Sequence, residues 1–162
     1  MAGQIDEPQT RFSPNTKSEI RIPKSEISLV SDEHLMKASY IRLFTDNQGE
    51  THFEEIQSTL ARVDFAYGMP PVFVSEEIAA QATSFFGAPS GWESDWHPSS
   101  GRHLFAVLTG AWEVTASDGE TRTFAKGDVL LVEDTTGKGH TSRVLGSEES
   151  IALLVQLPSN QK

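Results

Sequence analysis

The sequence predicts an all-β barrel or sandwich built as one domain. From Arg102 onward, short runs of alternating apolar and polar residues recur at intervals of roughly 8 to 12 residues, separated by Gly-bearing turns. The chain has 162 residues, with nine Phe and three Trp, enough to fill one core without a second domain. Its first third is polar and charged, which places that core downstream of about residue 35.

Residues 1–25 hold three prolines (Pro8, Pro14, Pro23) among Thr, Ser, Lys and Glu. They read as an N-terminal arm without its own core, flexible or exchanged in a dimer. The barrel domain spans 26–162. Ser31-Asp32-Glu33 offers an N-cap and first-turn acids to a short helical turn over His34 to Ala38. Tyr40–Phe44 and Thr51–Ile56, joined through Asp46-Asn47-Gln48-Gly49, read as a hairpin. Gly68-Met69-Pro70-Pro71 interrupts the pattern, Val72–Val74 resumes it, and 79–86 reads as a helical turn or a strand.

Strands are then expected over Arg102–Thr109, Ala111–Ala116, Thr121–Phe124, Val129–Val132, His140–Leu145 and Ile151–Leu157. Gly110, Ser117-Asp118-Gly119-Glu120 and Ala125-Lys126-Gly127-Asp128 supply the turns, and 133–139 a longer loop.

Twenty-three acids against thirteen Lys and Arg give a formal charge of −10, a field that repels phosphate backbones and anionic lipid. Nucleic acid and membrane are therefore not expected as partners. The absence of cysteine removes disulfides and thiolate chemistry, so any metal would sit on nitrogen or oxygen ligands. The N-terminus lacks a secretory h-region and no run is long enough to span a bilayer, so a cytoplasmic protein is expected.

The stretch GWESDWHPSSGRHLFAVLTG, with a later Gly-Asp turn and a second-half His, resembles the two-part signature of the cupin superfamily over residues 91–144. Gly91 is followed by five residues and His97, Ser99 stands at the second His position, and His103 at the Glu position, six residues before Gly110. Gly127 opens the second motif, Glu133 replaces its Pro, His140 arrives two residues late, and Val144 stands where Asn is usual. The resemblance implies a double-stranded β-helix, the cupin-type jelly-roll barrel. It also implies His97, His103 and His140 as metal ligands or, without metal, as acid/base residues. Many cupins are dimers, and the resemblance implies a homodimer here.

Read physically, His103, Phe105, Val107 and Thr109 share one face of their strand, and His140, Ser142 and Val144 share one face of theirs. Three imidazoles converging in a barrel suit Zn(II), Fe(II), Ni(II) or Cu(II), and the spacing alone leaves open whether any metal is bound. His52 or Glu54 is a candidate fourth ligand, against the alternative of a solvated strand face. Trp92 and Trp96 read as an aromatic rim over the pocket or as barrel-end packing. Arg102 pairs with a substrate carboxylate or with Glu93 or Asp95, and Asp134 and Lys138 border the barrel mouth, the default for both being a solvated loop. Thr135-Thr136-Gly137-Lys138-Gly139 lacks the order of a nucleotide P-loop.

These residues point to a small-molecule enzyme working by lyase or decarboxylase, isomerase or cyclase, or oxygenase chemistry, on an anionic or enolisable substrate if a cationic metal centre is present. The alternative is a noncatalytic barrel that binds or senses a small ligand.

Overall fold

The computed structural model describes residues 36–64 and 66–159. The described residues contain eleven strands and no helix. In chain order these are β1 (Lys37–Thr45), β2 (Thr51–Thr59), β3 (Ala61–Val63), β4 (Val72–Val74), β5 (Ala82–Ala88), β6 (His103–Thr109), β7 (Ala111–Ala116), β8 (Thr121–Ala125), β9 (Val129–Val132), β10 (His140–Leu145) and β11 (Ser150–Gln156). A six-stranded sheet in the order β2-β1-β9-β6-β11-β5 faces a three-stranded sheet, β10-β7-β8, and β3 pairs with β4 alone. All pairings are antiparallel except β1 with β9, where Ile41 aligns with Leu130 and Leu43 with Val132.

This is a two-sheet jelly roll, the cupin-type double-stranded β-helix expected from the sequence. The hairpin β1–β2 forms, each of its strands running three residues further than predicted at its outer end, and each strand expected from Arg102 onward forms within a residue of its predicted bounds. The ambiguous stretch 79–86 resolves as strand β5. The helical turn over His34 to Ala38 does not form in its described part, because Lys37 and Ala38 already pair with Thr59 and Ser58 of β2. His34, and the arm expected over 1–25, lie outside the described residues. No helix among the described residues is long and apolar enough to cross a membrane.

The alternation of each strand fills the space between the sheets. Trp112, Val114 and Ala116 of β7 point inward and meet Leu43, Val107, Leu130 and Val132 of the large sheet. Trp112 is the centre of an aromatic cluster, edge-on to Phe105 at 5.4 Å between centroids and to Trp92 at 5.4 Å. Gly110 turns the chain from one sheet to the other between β6 and β7. Its φ of +69° is left-handed, and a Cβ there would press on the backbone of Glu149 and Ser150.

Two hairpin tips are pinned together by His52. Its Nδ1 lies 2.7 Å from Asp118 Oδ2, in the β7–β8 turn, and its Nε2 3.2 Å from Asp46 Oδ2, in the β1–β2 turn. Both carboxylates accept, so the doubly protonated ring alone satisfies both bonds. The hydrogen bonds to Asp46 and Asp118 accordingly raise the His52 pKa above its ordinary value. Glu54 points from the same strand to Arg42 at 3.0 Å. Neither residue lines the pocket described below, so neither serves as the fourth ligand considered from sequence.

Because the folded-state pKa of His52 is raised, its contribution to stability is complete below the ordinary imidazole value of 6.5 and is lost as pH rises through the folded value. The stability difference between wild type and His52→Gln, measured by urea unfolding, is therefore expected to be largest on the acid side of that value while both carboxylates remain ionised, and to shrink in alkaline solution.

Candidate functional site

The site is assembled where the segment 92–97 runs beside β10. The segment 92–97 is not a regular strand, yet it runs antiparallel beside β10. Ser94 N donates to Ser142 O at 2.9 Å, Val144 N to Trp92 O at 2.9 Å, and His97 and His140 exchange both backbone bonds at 3.0 Å. Gly139, at φ +74°, permits this approach, since a Cβ there would overlap the carbonyl of His97. The two imidazoles lie with their centroids 4.7 Å apart and their planes inclined by 50°.

His97, His103 and His140 line one cavity of about 280 Å³ between the sheets. Its walls are Phe86 from β5, Phe105 from β6, Trp112 and Val114 from β7, and Trp92. Leu130, Val132 and Leu154 lie deeper, and Ser99, Ser100 and Ser142 add hydroxyls. His97 is exposed at the surface end, His103 half-buried and His140 buried.

Each imidazole is held by its Nδ1. His97 Nδ1 is 2.8 Å from Asp95 O, His103 Nδ1 is 3.0 Å from Gly101 O, and His140 Nδ1 is 2.6 Å from Asp134 Oδ2. A carbonyl or carboxylate oxygen only accepts, so in the neutral ring the proton sits on Nδ1 and Nε2 carries a lone pair. All three rings share this tautomer. Burial holds the His103 pKa below the ordinary imidazole value, against the Gly101 hydrogen bond and the Asp134 charge, which favour the proton.

Asp134 is fully enclosed. The sequence places it on a solvated loop at the barrel mouth; residues 135–138 of that loop are exposed, but Asp134 itself turns inward directly after β9, and its carbonyl accepts from Ser99 N at 2.9 Å. Its Oδ2 bonds His140, while Oδ1 has no protein partner.

The other expected site residues separate from the pocket. Arg102 meets neither Glu93 nor Asp95; its Nε donates to Glu133 Oε1 at 2.7 Å and its Nη1 to Pro158 O at 2.7 Å. Arg42 Nε donates to the other oxygen of Glu133 at 2.6 Å. Burial pushes the Glu133 carboxyl up, and the bonds from Arg42 and Arg102 outweigh it and hold it below its ordinary value. Lys138 is exposed and bound to Glu50. Trp96 is 54% exposed and does not line the cavity, whereas Trp92 lines it and packs edge-on against Trp112 of the core. Phe86 and Trp112 escaped the sequence reading as pocket residues, although the alternation of β7 marks Trp112 as inward-facing.

The donor chemistry of the three imidazoles suits a metal, since a ligating His commonly has its other ring nitrogen engaged. Their placement does not: among the described residues, no group of three or more His, Asp or Glu side chains converges closely enough to hold an ion. His97 and His140 form a close pair backed by one carboxylate, and His103 lines the same cavity. His140 is oriented by Asp134.

No protein-family model and no curated protein matches the chain. Among solved structures it is similar to an RmlC-like cupin family protein with a double-stranded β-helix fold from Methanocaldococcus jannaschii, at 17% identity over 47% of this chain and 68% of that one, with a TM-score of 0.41. A cupin 2 conserved barrel domain protein from Salinispora arenicola aligns at 22% identity over 62% of this chain and 76% of that one, TM-score 0.41. The Cnp3 cupin domain of Schizosaccharomyces pombe aligns at 17% identity over 75% of this chain and 84% of that one, TM-score 0.40. The fold assignment rests on the chain's own strand order and register.

Nitrogen-15 spectra of the imidazoles are expected to show the Nδ1–H tautomer for His97, His103 and His140 in neutral form. In Asp134→Asn the amide can donate to Nδ1, which flips His140 to the Nε2–H tautomer and leaves His97 and His103 unchanged.

Proposed function

We propose that the barrel is a small-molecule enzyme in which His140 transfers a proton to or from a ligand held in the 280 Å³ cavity. The observation that carries this reading is the Asp134–His140 pair: a fully enclosed carboxylate at 2.6 Å from Nδ1, which aims a basic Nε2 toward an aromatic pocket. Asp134 is the positioning residue, and it stabilises the imidazolium formed when His140 takes a proton. His97, whose ring lies 4.7 Å from that of His140, stands at the exposed end of the cavity. Isomerisation or β-elimination begun by proton abstraction from an enolisable carbon fits these parts. The cytoplasmic setting expected from composition belongs to the same proposal.

Deuterium exchange from solvent into a panel of small enolisable carbonyl compounds, followed by proton NMR, tests this reading. Exchange is expected with wild type, reduced by about 10²–10⁴-fold in His140→Gln, and persisting in protein whose metal content by elemental mass spectrometry is negligible. Saturable binding without exchange for every compound would leave the noncatalytic binding barrel, a reading favoured by the largely apolar lining.

The expected homodimer has its best support at strand β5. This edge strand, Ala82–Ala88, carries no charge and no proline, and Phe85 on its outer face is 78% exposed; the opposite edge, β2, carries Glu54 and Glu55. We propose that a second copy covers β5. Light scattering is expected to give a dimer for wild type and a monomer for Phe85→Glu; a wild-type monomer at high concentration would exclude it.

A further inference from the structure

We infer that the ligand of the cavity carries a single aromatic ring, which seats against Phe86, Phe105, Trp92 and Trp112 and directs its carbonyl group to the His97–His140 end. The inference rests on the cavity being the functional site proposed above and names the substrate class of that site.

The first ground is the order of residues along the two walls. Strand register ranks the small-sheet wall from His140, paired with Ala116, through Ser142, paired with Val114, to Val144, paired with Trp112. The segment 92–97 follows the same order, with His97 opposite His140 and Trp92 O accepting from Val144 N. On the large sheet His103 aligns with Val132, Phe105 with Leu130 and Leu154, and Val107 with Ala152, which in turn aligns with Phe86. Phe86 and Phe105 meet Trp112 at 5.8 and 5.4 Å between centroids, so the aromatic ends of the two walls coincide. The cavity therefore has an axis, from an imidazole end to an aromatic end that lies about 13 Å further along β10. A ligand that satisfies both ends joins a polar head to an apolar body.

The second ground is the packing of the rings. Trp112 meets Trp92 and Phe105 edge-on, with planes inclined by 69° and 90°, and Phe105 meets Phe86 edge-on at 69°. Rings that brace one another in this way form a preorganised wall. A further ring extends the same edge-to-face pattern and gains an attraction beyond its buried area, which a saturated body of equal size does not. Size sets the number of rings. A volume of about 280 Å³ is that of roughly nine waters at about 30 Å³ each, room for one ring and a short side chain.

Benzylacetone, its ring-saturated cyclohexyl analogue and butanone share a methyl ketone head and differ in the body behind it. Titrated into full-length protein and followed by NMR, benzylacetone is expected to bind about 2- to 10-fold more tightly than the cyclohexyl analogue, the factor an aromatic pair contributes. It is expected to bind at least about 10-fold more tightly than butanone. Its ring protons are expected to show nuclear Overhauser contacts to Trp92, Trp112 and Phe86. Phe86→Leu, on the edge strand, is expected to cancel the advantage of benzylacetone over the cyclohexyl analogue. Should that variant misfold, the wild-type series and the ring contacts decide. Butanone or the cyclohexyl analogue binding as tightly as benzylacetone, ring contacts elsewhere on the barrel, or saturation by none of the three would each overturn the inference. The expected order without deuterium exchange into any of the ketones upholds it and overturns only the proposed reaction. Exchange into all three without preference for the ring overturns it and leaves that reaction standing.

Discussion

A carboxylate shut away from solvent needs an internal partner, because an uncompensated buried charge costs several kcal/mol. Asp134 finds that partner in His140, and the surrounding architecture is arranged around this contact. The loop that delivers the carboxylate is tied to the large sheet at both ends: Glu133 N donates to Leu43 O at 2.8 Å, and Lys138 N to Gly49 O at 3.0 Å. Immediately after it, Gly139 lets β10 approach the segment 92–97, which brings His97 against His140. The carboxylate contact, the Gly139 approach and the His140 tautomer thus meet within one short stretch of chain.

The cavity is correspondingly lopsided. Its polar atoms come from 97–103 and β10, while its apolar walls come from β5, β6, β7 and the floor of the large sheet. Beside it, Glu133 holds Arg42 and Arg102 away from the interior, so adjacent residues on one loop perform opposite tasks: Glu133 neutralises cations outside and Asp134 carries negative charge inside. Period-two alternation at the end of β9 sends the neighbouring side chains to opposite faces.

Much of this was legible in the sequence. Alternation and turn chemistry located the later strands closely, because both are local properties, and His97, His103 and His140 do line one pocket. The path of the 133–139 loop was not legible. Nothing local distinguishes an Asp that folds under an imidazole from one in water, and the difference lies in tertiary contacts made by Ser99 and Leu43. Arg102 was misdirected for a similar reason: Glu93 and Asp95 are nearer in sequence, but strand pairing sets Glu133 beside it, with His103 of β6 opposite Val132 of β9. The 79–86 stretch was ambiguous because its apolar residues are clustered rather than alternating, and only pairing with β11 makes it a strand.

The parallel pairing of β1 with β9 carries a consequence for how the chain acquires its shape. β1 and β2 form a local hairpin that can close early, yet Ile41 and Leu43 find their other neighbours only when Leu130 and Val132 arrive, after most of the barrel has been synthesised. Closing so long a loop before any contact rewards it is an entropic barrier, typical of slow-folding high-contact-order β proteins. During that interval the uncharged β5 has no partner, since β11 comes last of all. The nascent chain is therefore most vulnerable to aggregation at the strand that later supplies Phe86 to the pocket.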